Sequence, residues 1–239
     1  MEKTLKSRTH NIPEAPIQKL LEEVKPPENT ISLGQGAPFF QPPKEAIQAA
    51  IKTIKTPEGN RYTPDAGILS LRKQISKKLE KQNKIKADPE KNITVTSGGN
   101  QAFLNTIMAI TKPGDNIIIL TPHYFNHPMA VQLTGCKPIT VETTTNYQPN
   151  PEKIFEKVNS KTRAIITISP NNPTGAVYSK NVLKKINQYC KENNIYHISD
   201  EAYEKFVYNN KKHYSPSSFD TKNEHTITLF SFSKTYGMP

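Results

Sequence analysis

The chain has 239 residues, and 32 Lys and Arg against 21 Asp and Glu give it a formal net charge of +11. Hydrophobic residues make up 34% and charged residues 22%, and the mean hydropathy is negative; this suits a soluble globular protein with one substantial core. A helical membrane protein is excluded, because aliphatic runs such as Ile117-Ile118-Ile119-Leu120 fall far short of the roughly 20 residues a spanning helix needs.

The first stretch, to about residue 41, is irregular and punctuated by proline, and reads as an outlying arm. From Pro43 the pattern alternates. Residues 44–54 and 68–82 are expected to be helical, the second with Ile68, Leu71, Ile75 and Leu79 at spacings of three and four. A β-branched run at 92–96 reads as a first strand, followed by a helix over 100–111 that stops at Lys112-Pro113-Gly114-Asp115. Strands are expected at 116–120, 138–142, 163–168, 195–199 and 226–232, with an amphipathic helix at 179–193. The run at 163–168 is largely aliphatic, with Ala164, Ile165, Ile166 and Ile168, as in a strand buried on both faces. Strand and helix alternating at this spacing indicate an α/β fold, a three-layer αβα sandwich around a mainly parallel sheet.

Ligands of such sheets bind beyond the carboxyl ends of the strands. Polar and aromatic residues follow each expected strand: Ser97-Gly98-Gly99-Asn100-Gln101, then Pro122-His123-Tyr124, Asn171-Asn172-Pro173-Thr174-Gly175, Asp200-Glu201-Ala202-Tyr203, and Ser233-Lys234. The first is either an ordinary helix start or an anion site made of free backbone N–H groups; it lacks the Gly-Lys-Ser/Thr ending of a nucleotide-binding loop. Asp200 is either a helix N-cap or a buried carboxylate facing a ring N–H⁺. Tyr203, three residues on, would share its side of a helical turn. Asn172 precedes a proline, which makes its backbone extended; it is a plain Asn-Pro turn or a group aimed at the strand ends. Lys234 stands out among many lysines by its place after a strand, where a partly buried amine serves as a carbonyl-trapping nucleophile.

Other readings fare less well. Ser231-Phe232-Ser233-Lys234 matches the Ser-x-x-Lys of acyl enzymes, but Lys-Thr-Gly is missing and Ser199-Asp200-Glu201 lies upstream. His123 and His127 are four apart, but Pro122 and Pro128 flank them and no third ligand stands out. They read as loop histidines, and no metal site is expected. All but four of the basic residues are lysine, scattered along helices; this argues for a solvated surface and against nucleic-acid binding. The polar start Met1-Glu2-Lys3-Thr4 has no apolar leader core, and two cysteines, Cys136 and Cys190, cannot build a disulfide framework, so a cytoplasmic location is expected.

Taken together, the motifs resemble the fold-type I, pyridoxal-phosphate-dependent aminotransferases of class I/II. The matching elements, in the family's order, are Leu33-Gly34-Gln35-Gly36, Tyr62-Thr63-Pro64 with Gly67, Ser97-Gly98-Gly99, Pro122-His123-Tyr124, Asn171-Asn172-Pro173-Thr174-Gly175, Asp200-Glu201-Ala202-Tyr203 and Ser231-Phe232-Ser233-Lys234. The opening motif is similar to the kynurenine/glutamine, methionine and aspartate aminotransferase branch. The resemblance implies transfer of an amino group between an amino acid and a 2-oxo acid, with pyridoxal 5′-phosphate held on Lys234 as an internal aldimine; a lyase on the same scaffold is the alternative chemistry. By the same resemblance Lys234 moves the proton, Asp200 pairs with the pyridine nitrogen, and Tyr203 and Asn172 bond the phenolic oxygen. Tyr124 stacks on the ring. Backbone groups of Gly99, Asn100 and Gln101, with Ser231, hold the phosphate. Tyr62 reaches the phosphate in a neighbouring subunit, which implies a homodimer. Gly36 and Asn172 lie near the substrate. Residues 1–42 would form an arm or small-domain segment and 43–239 the cofactor domain. Family members continue past the lysine with a phosphate-binding arginine and a small domain bearing a substrate-gripping arginine, so the sequence is expected to be an N-terminal portion, impaired as a catalyst by itself.

Overall fold

The computed structural model describes residues 7–10, 12–24, 27–31, 36 and 38–239. The Leu33-Gly34-Gln35 part of the first motif lies outside them. Five strands, β1 (Asn116–Thr121), β2 (Lys137–Glu142), β3 (Thr162–Ile168), β4 (Tyr196–Asp200) and β5 (Thr226–Leu229), form one sheet in the order β2-β1-β3-β4-β5. Every pairing is parallel. After β2 the chain crosses over β1 to place β3 on its other side. The strand order therefore reverses between β1 and β3, the kind of point where such sheets open a crevice.

The helices lie in two layers. Helices α4 (Gly98–Ile110) and α5 (Asn126–Leu133) supply Phe103, Ile107 and Val131 to one face, against Ile117, Ile119, Ala164, Ile166, Ile168 and Ile198. Helices α6 (Pro151–Glu156) and α7 (Lys180–Glu192) cover the other face with Ile154, Leu183, Ile186 and Cys190, against Ile118, Leu120 and Ile165. Alternate residues of β1 and β3 thus enter opposite cores, which is why both strands are mostly aliphatic through their centres, Thr167 excepted. Asn150 caps α6, accepting from the Lys153 N–H at 3.2 Å, and Ser179 caps α7. This is the expected three-layer αβα sandwich.

Four expectations change. Residues 92–96 are extended but form no ladder: the Val95 N–H goes to the Ala66 carbonyl at 3.0 Å, and Ile93 is β-branched because it fills a satellite core with Leu79 and Ile85. The last strand stops at Leu229, because Ser231 accepts the Ser233 N–H at 3.1 Å and starts α8 (Phe232–Thr235). The arm contains a helix, α1 (Pro16–Glu23), begun by a proline whose missing N–H costs nothing in a first turn. His127 is no loop residue but lies in α5, where Pro128 is tolerated in the first turn for the same reason. Helix α2 (Lys44–Ile54) is where expected, and α3 (Leu69–Lys78) runs on into a π-helical turn at Leu79–Asn83.

His197 of β4 is fully buried, its Nε2 2.9 Å from the Thr167 hydroxyl and its Nδ1 3.2 Å from the Asn187 amide nitrogen. Burial, reinforced by nearby His225, pulls its pKa from 6.5 to about 3. The unfolded chain then binds the proton more readily. The contribution to stability is complete above pH 6.5 and is lost as the pH falls towards 3, and the loss amounts to about 2 kcal/mol by pH 5. Urea unfolding between pH 7 and 5 should show this slope in the parent chain and not in a His197→Asn variant. Buried Glu201, pushed up by desolvation, acts in the opposite direction in both chains and cancels in the comparison.

Candidate active site

At the carboxyl ends of the strands a cavity of about 200 Å³ is lined by Ser97, Gly98, Gly99, Asn100, Tyr124, His127, Ile168, Asn172, Asp200, Ala202, Tyr203, Leu229, Phe230, Ser231, Ser233 and Lys234. The turns after β1, β3, β4 and β5 and the start of α4 therefore meet in one place, although they are spread over more than half of the sequence.

Asp200 is the last residue of β4 and is largely buried. Its Oδ1 accepts the Ala202 N–H at 3.0 Å, and its Oδ2 lies 3.2 Å from Nε2 of His127. Phe103 stacks on the His127 ring with centroids 4.1 Å apart, and Tyr124 meets it edge-on at 5.4 Å. An imidazole clamped between two aromatic rings thus holds the carboxylate from behind. Tyr203 receives a long hydrogen bond from the Asn172 amide, 3.4 Å, on its hydroxyl. Burial, with Tyr124 and the charge of Asp200, raises the Tyr203 pKa, and the bond from Asn172 opposes the rise. Tyr203 is therefore a protonated hydroxyl at neutral pH.

Across the cavity, the first turn of α4 has no side-chain cap. A Cβ at Gly98 or Gly99 would meet nothing within 4 Å, and Gly98 has φ +83°, a conformation that needs glycine. Backbone donors at the positive end of a 13-residue helix thus border open space beside the Ser231 hydroxyl. Lys234 Nζ lies 6.0 Å from the centre of the Tyr203 ring and donates to the Gly36 carbonyl at 3.0 Å.

Most residues singled out in the sequence come together here. Gln101 does not line the cavity; its side chain turns back to accept the Ser97 N–H at 2.6 Å. Tyr62 is fully exposed and outside the cavity, and Gly36 touches the site only through its carbonyl. His127 is the residue that sequence reasoning misplaced. Its spacing of three from Tyr124, one helical turn, was the available signal. Glu201, Glu204 and His213 gather behind the cavity, and all four oxygens of the two carboxylates already accept from neighbouring donors.

Residues 28–239 match the family model described as aminotransferase class I and II. The chain belongs to this family. Among its relatives, it is 41% identical to an aspartate aminotransferase of Pyrococcus abyssi, a match covering 93% of this chain and 57% of that protein. It is 37% identical to a probable aspartate/prephenate aminotransferase of Aquifex aeolicus, over 100% of this chain and 62% of that one. Among solved structures, an aromatic aminotransferase from Pyrococcus horikoshii superposes with a TM-score of 0.83 at 41% identity, covering 93% of this chain and 59% of that one. The chain thus spans about three fifths of the length of these relatives.

The family is pyridoxal-phosphate-dependent, and the residues present fit that cofactor. A buried carboxylate suits a protonated ring nitrogen, a phenol and an amide suit a ring oxygen, an aromatic face suits stacking, an uncapped helix start with a serine suits a phosphate, and an amine suits an aldehyde.

Proposed function

We propose that the chain carries the cofactor site of an aminotransferase that moves an amino group between an amino acid and a 2-oxo acid. The observation that carries this reading is the convergence of Lys234, Asp200, Tyr203, Asn172 and Tyr124 on one cavity beside the first turn of α4. When bound, pyridoxal 5′-phosphate supplies an electron sink for the bond broken at the substrate Cα.

The residues divide the work. Asp200, backed by His127, keeps a positive charge on the ring nitrogen. Tyr203 and Asn172 bond the ring oxygen, and Tyr124 packs on the ring face. The N–H groups of Gly99 and Asn100, with the Ser231 hydroxyl, hold the phosphate. Lys234 would hold the cofactor through its aldehyde group, and its amine would carry the proton at the substrate Cα. Its contact with the Gly36 carbonyl supports a role for the arm in closing over substrate, with Asn172 beside it. The fully exposed Tyr62 supports a homodimer in which it reaches the phosphate of the other subunit's site. On this reading residues 1–42 are an arm and 43–239 the cofactor domain. Among the described residues no helix is long and apolar enough to cross a membrane.

Adding pyridoxal phosphate to the chain should produce a visible absorption band, and borohydride should fix the label on Lys234. A label spread over other lysines and never on Lys234 would refute the assignment.

A further inference from the structure

Strand β4 ends at Asp200, and the turn after it carries Ala202 and Tyr203; all three line the cavity. Between and after them stand two buried carboxylates that do not line the cavity, Glu201 and Glu204. Glu201 accepts from the hydroxyl of Ser199 at 3.0 Å, from His213 Nε2 at 2.7 Å and from the Ser215 hydroxyl. Glu204 accepts from the Asn83 amide at 2.8 Å and forms an ion pair with Lys78. The Asn83 amide also donates to the Ser215 oxygen at 2.9 Å, so the two carboxylates share one network. The Lys78 ammonium already pairs with Glu204, and the oxygens of Glu201 are taken by Ser199, His213 and Ser215, so the group is held by its own donors.

Lys78 makes a second contact. Its Nζ sits 3.9 Å above the centre of the Phe230 ring. Phe230 lines the cavity and immediately precedes Ser231. A mostly buried ammonium is costly unless it is paired, and here the pairing is divided between the Glu204 carboxylate after β4 and the Phe230 ring after β5. Burial draws the Lys78 pKa down, and the bond to Glu204 opposes this.

We propose that Lys78 is a positioning residue that ties together the two loops walling the cavity, the 200–204 turn through Glu204 and the 230–234 turn through Phe230. The role rests on the cofactor reading above. It acts at a distance: neither Lys78 nor Glu204 lines the cavity, yet the spacing of Asp200 and Tyr203 from Ser231 and Lys234 depends on both.

The test compares the parent 239-residue chain with Lys78→Met, Lys78→Arg and the double variant Lys78→Met/Glu204→Gln. Hydrogen exchange of the ligand-free chains should be faster at both 200–206 and 230–235 in Lys78→Met and unchanged in β1 and β2. Affinity for pyridoxal phosphate should fall about tenfold in Lys78→Met and be largely kept in Lys78→Arg, which retains the cation. The double variant buries no unpaired charge, so its thermal midpoint should recover while its cofactor affinity stays low. Unchanged exchange at either loop overturns the clamp. Faster exchange with unchanged affinity, and an unchanged pH midpoint of the visible cofactor band, overturns the positioning role and leaves a structural one. A parent chain that fails to take up the cofactor strikes at the functional reading, and the exchange data then still decide whether the two loops are tied.

Discussion

A Lys234→Ala chain should take up pyridoxal phosphate without forming a covalent bond at the site. The visible band should vanish and borohydride should leave no label in the peptide containing residue 234. On the proposed function the substitution removes the cavity amine that would bond the aldehyde and carry the substrate proton, so whatever transamination the parent chain supports should fall by about 100- to 10,000-fold. The fold should not suffer. Helix α8 contributes no buried residue, and the hydrogen bond of Lys234 is to the Gly36 carbonyl in the arm. Unchanged thermal unfolding alongside lost labelling is the expected pair of results. Retained labelling at a neighbouring lysine with full turnover would remove Lys234 from the mechanism.

Asp200→Asn should give the second large effect. The asparagine keeps an oxygen for the Ala202 N–H and can place its amide against Nε2 of His127, so the local geometry survives. What is lost is the negative charge that, on the proposed function, would face the ring nitrogen. Hydrogen bonds to charged groups are worth about 1.5–3 kcal/mol, so cofactor affinity should weaken by about 10- to 150-fold. Measuring it in a Lys234→Ala background separates the charge effect from the covalent bond. Asp200→Ala should behave worse, because it also leaves a buried imidazole without its carboxylate. If Asp200→Asn binds the cofactor as tightly as its parent, the counter-charge role is wrong.

The parts of this architecture legible in the sequence are those fixed by local periodicity. The aliphatic runs of β1 and β3 declare two-sided burial, and α7 shows its buried stripe of Leu183, Ile186 and Cys190 at helical spacing. Most of the cavity residues are legible because they close or follow a strand, and a parallel sheet brings all carboxyl ends to one edge; the start of α4 is the exception, since the run before it forms no ladder. Tertiary competition hid the rest. Residues 92–96 have strand composition, yet their hydrogen bonds go to a loop carbonyl and Ile93 serves a side core. His127 was hidden by its flanking prolines, which suggest a loop unless Pro128 is recognised as a first-turn residue. The clamp on Glu204 was invisible for a different reason: Lys78 and Glu204 are separated by more than 120 positions, and nothing local marks one lysine among so many.

The absence of any antiparallel pair in the described sheet bears on how the chain acquires its site. Every strand pairing bridges a crossover, and β1 must find β3 across the intervening β2 unit. Such non-local closures cost chain entropy before they return any contact energy, which makes folding slow. The cavity draws on the turns after β1, β3, β4 and β5, so it exists only once the last pairing is made. Cofactor capture during refolding should therefore lag behind the recovery of helical circular dichroism and coincide with the final cooperative phase. A ligand that binds only this finished state pulls the chain towards it by mass action.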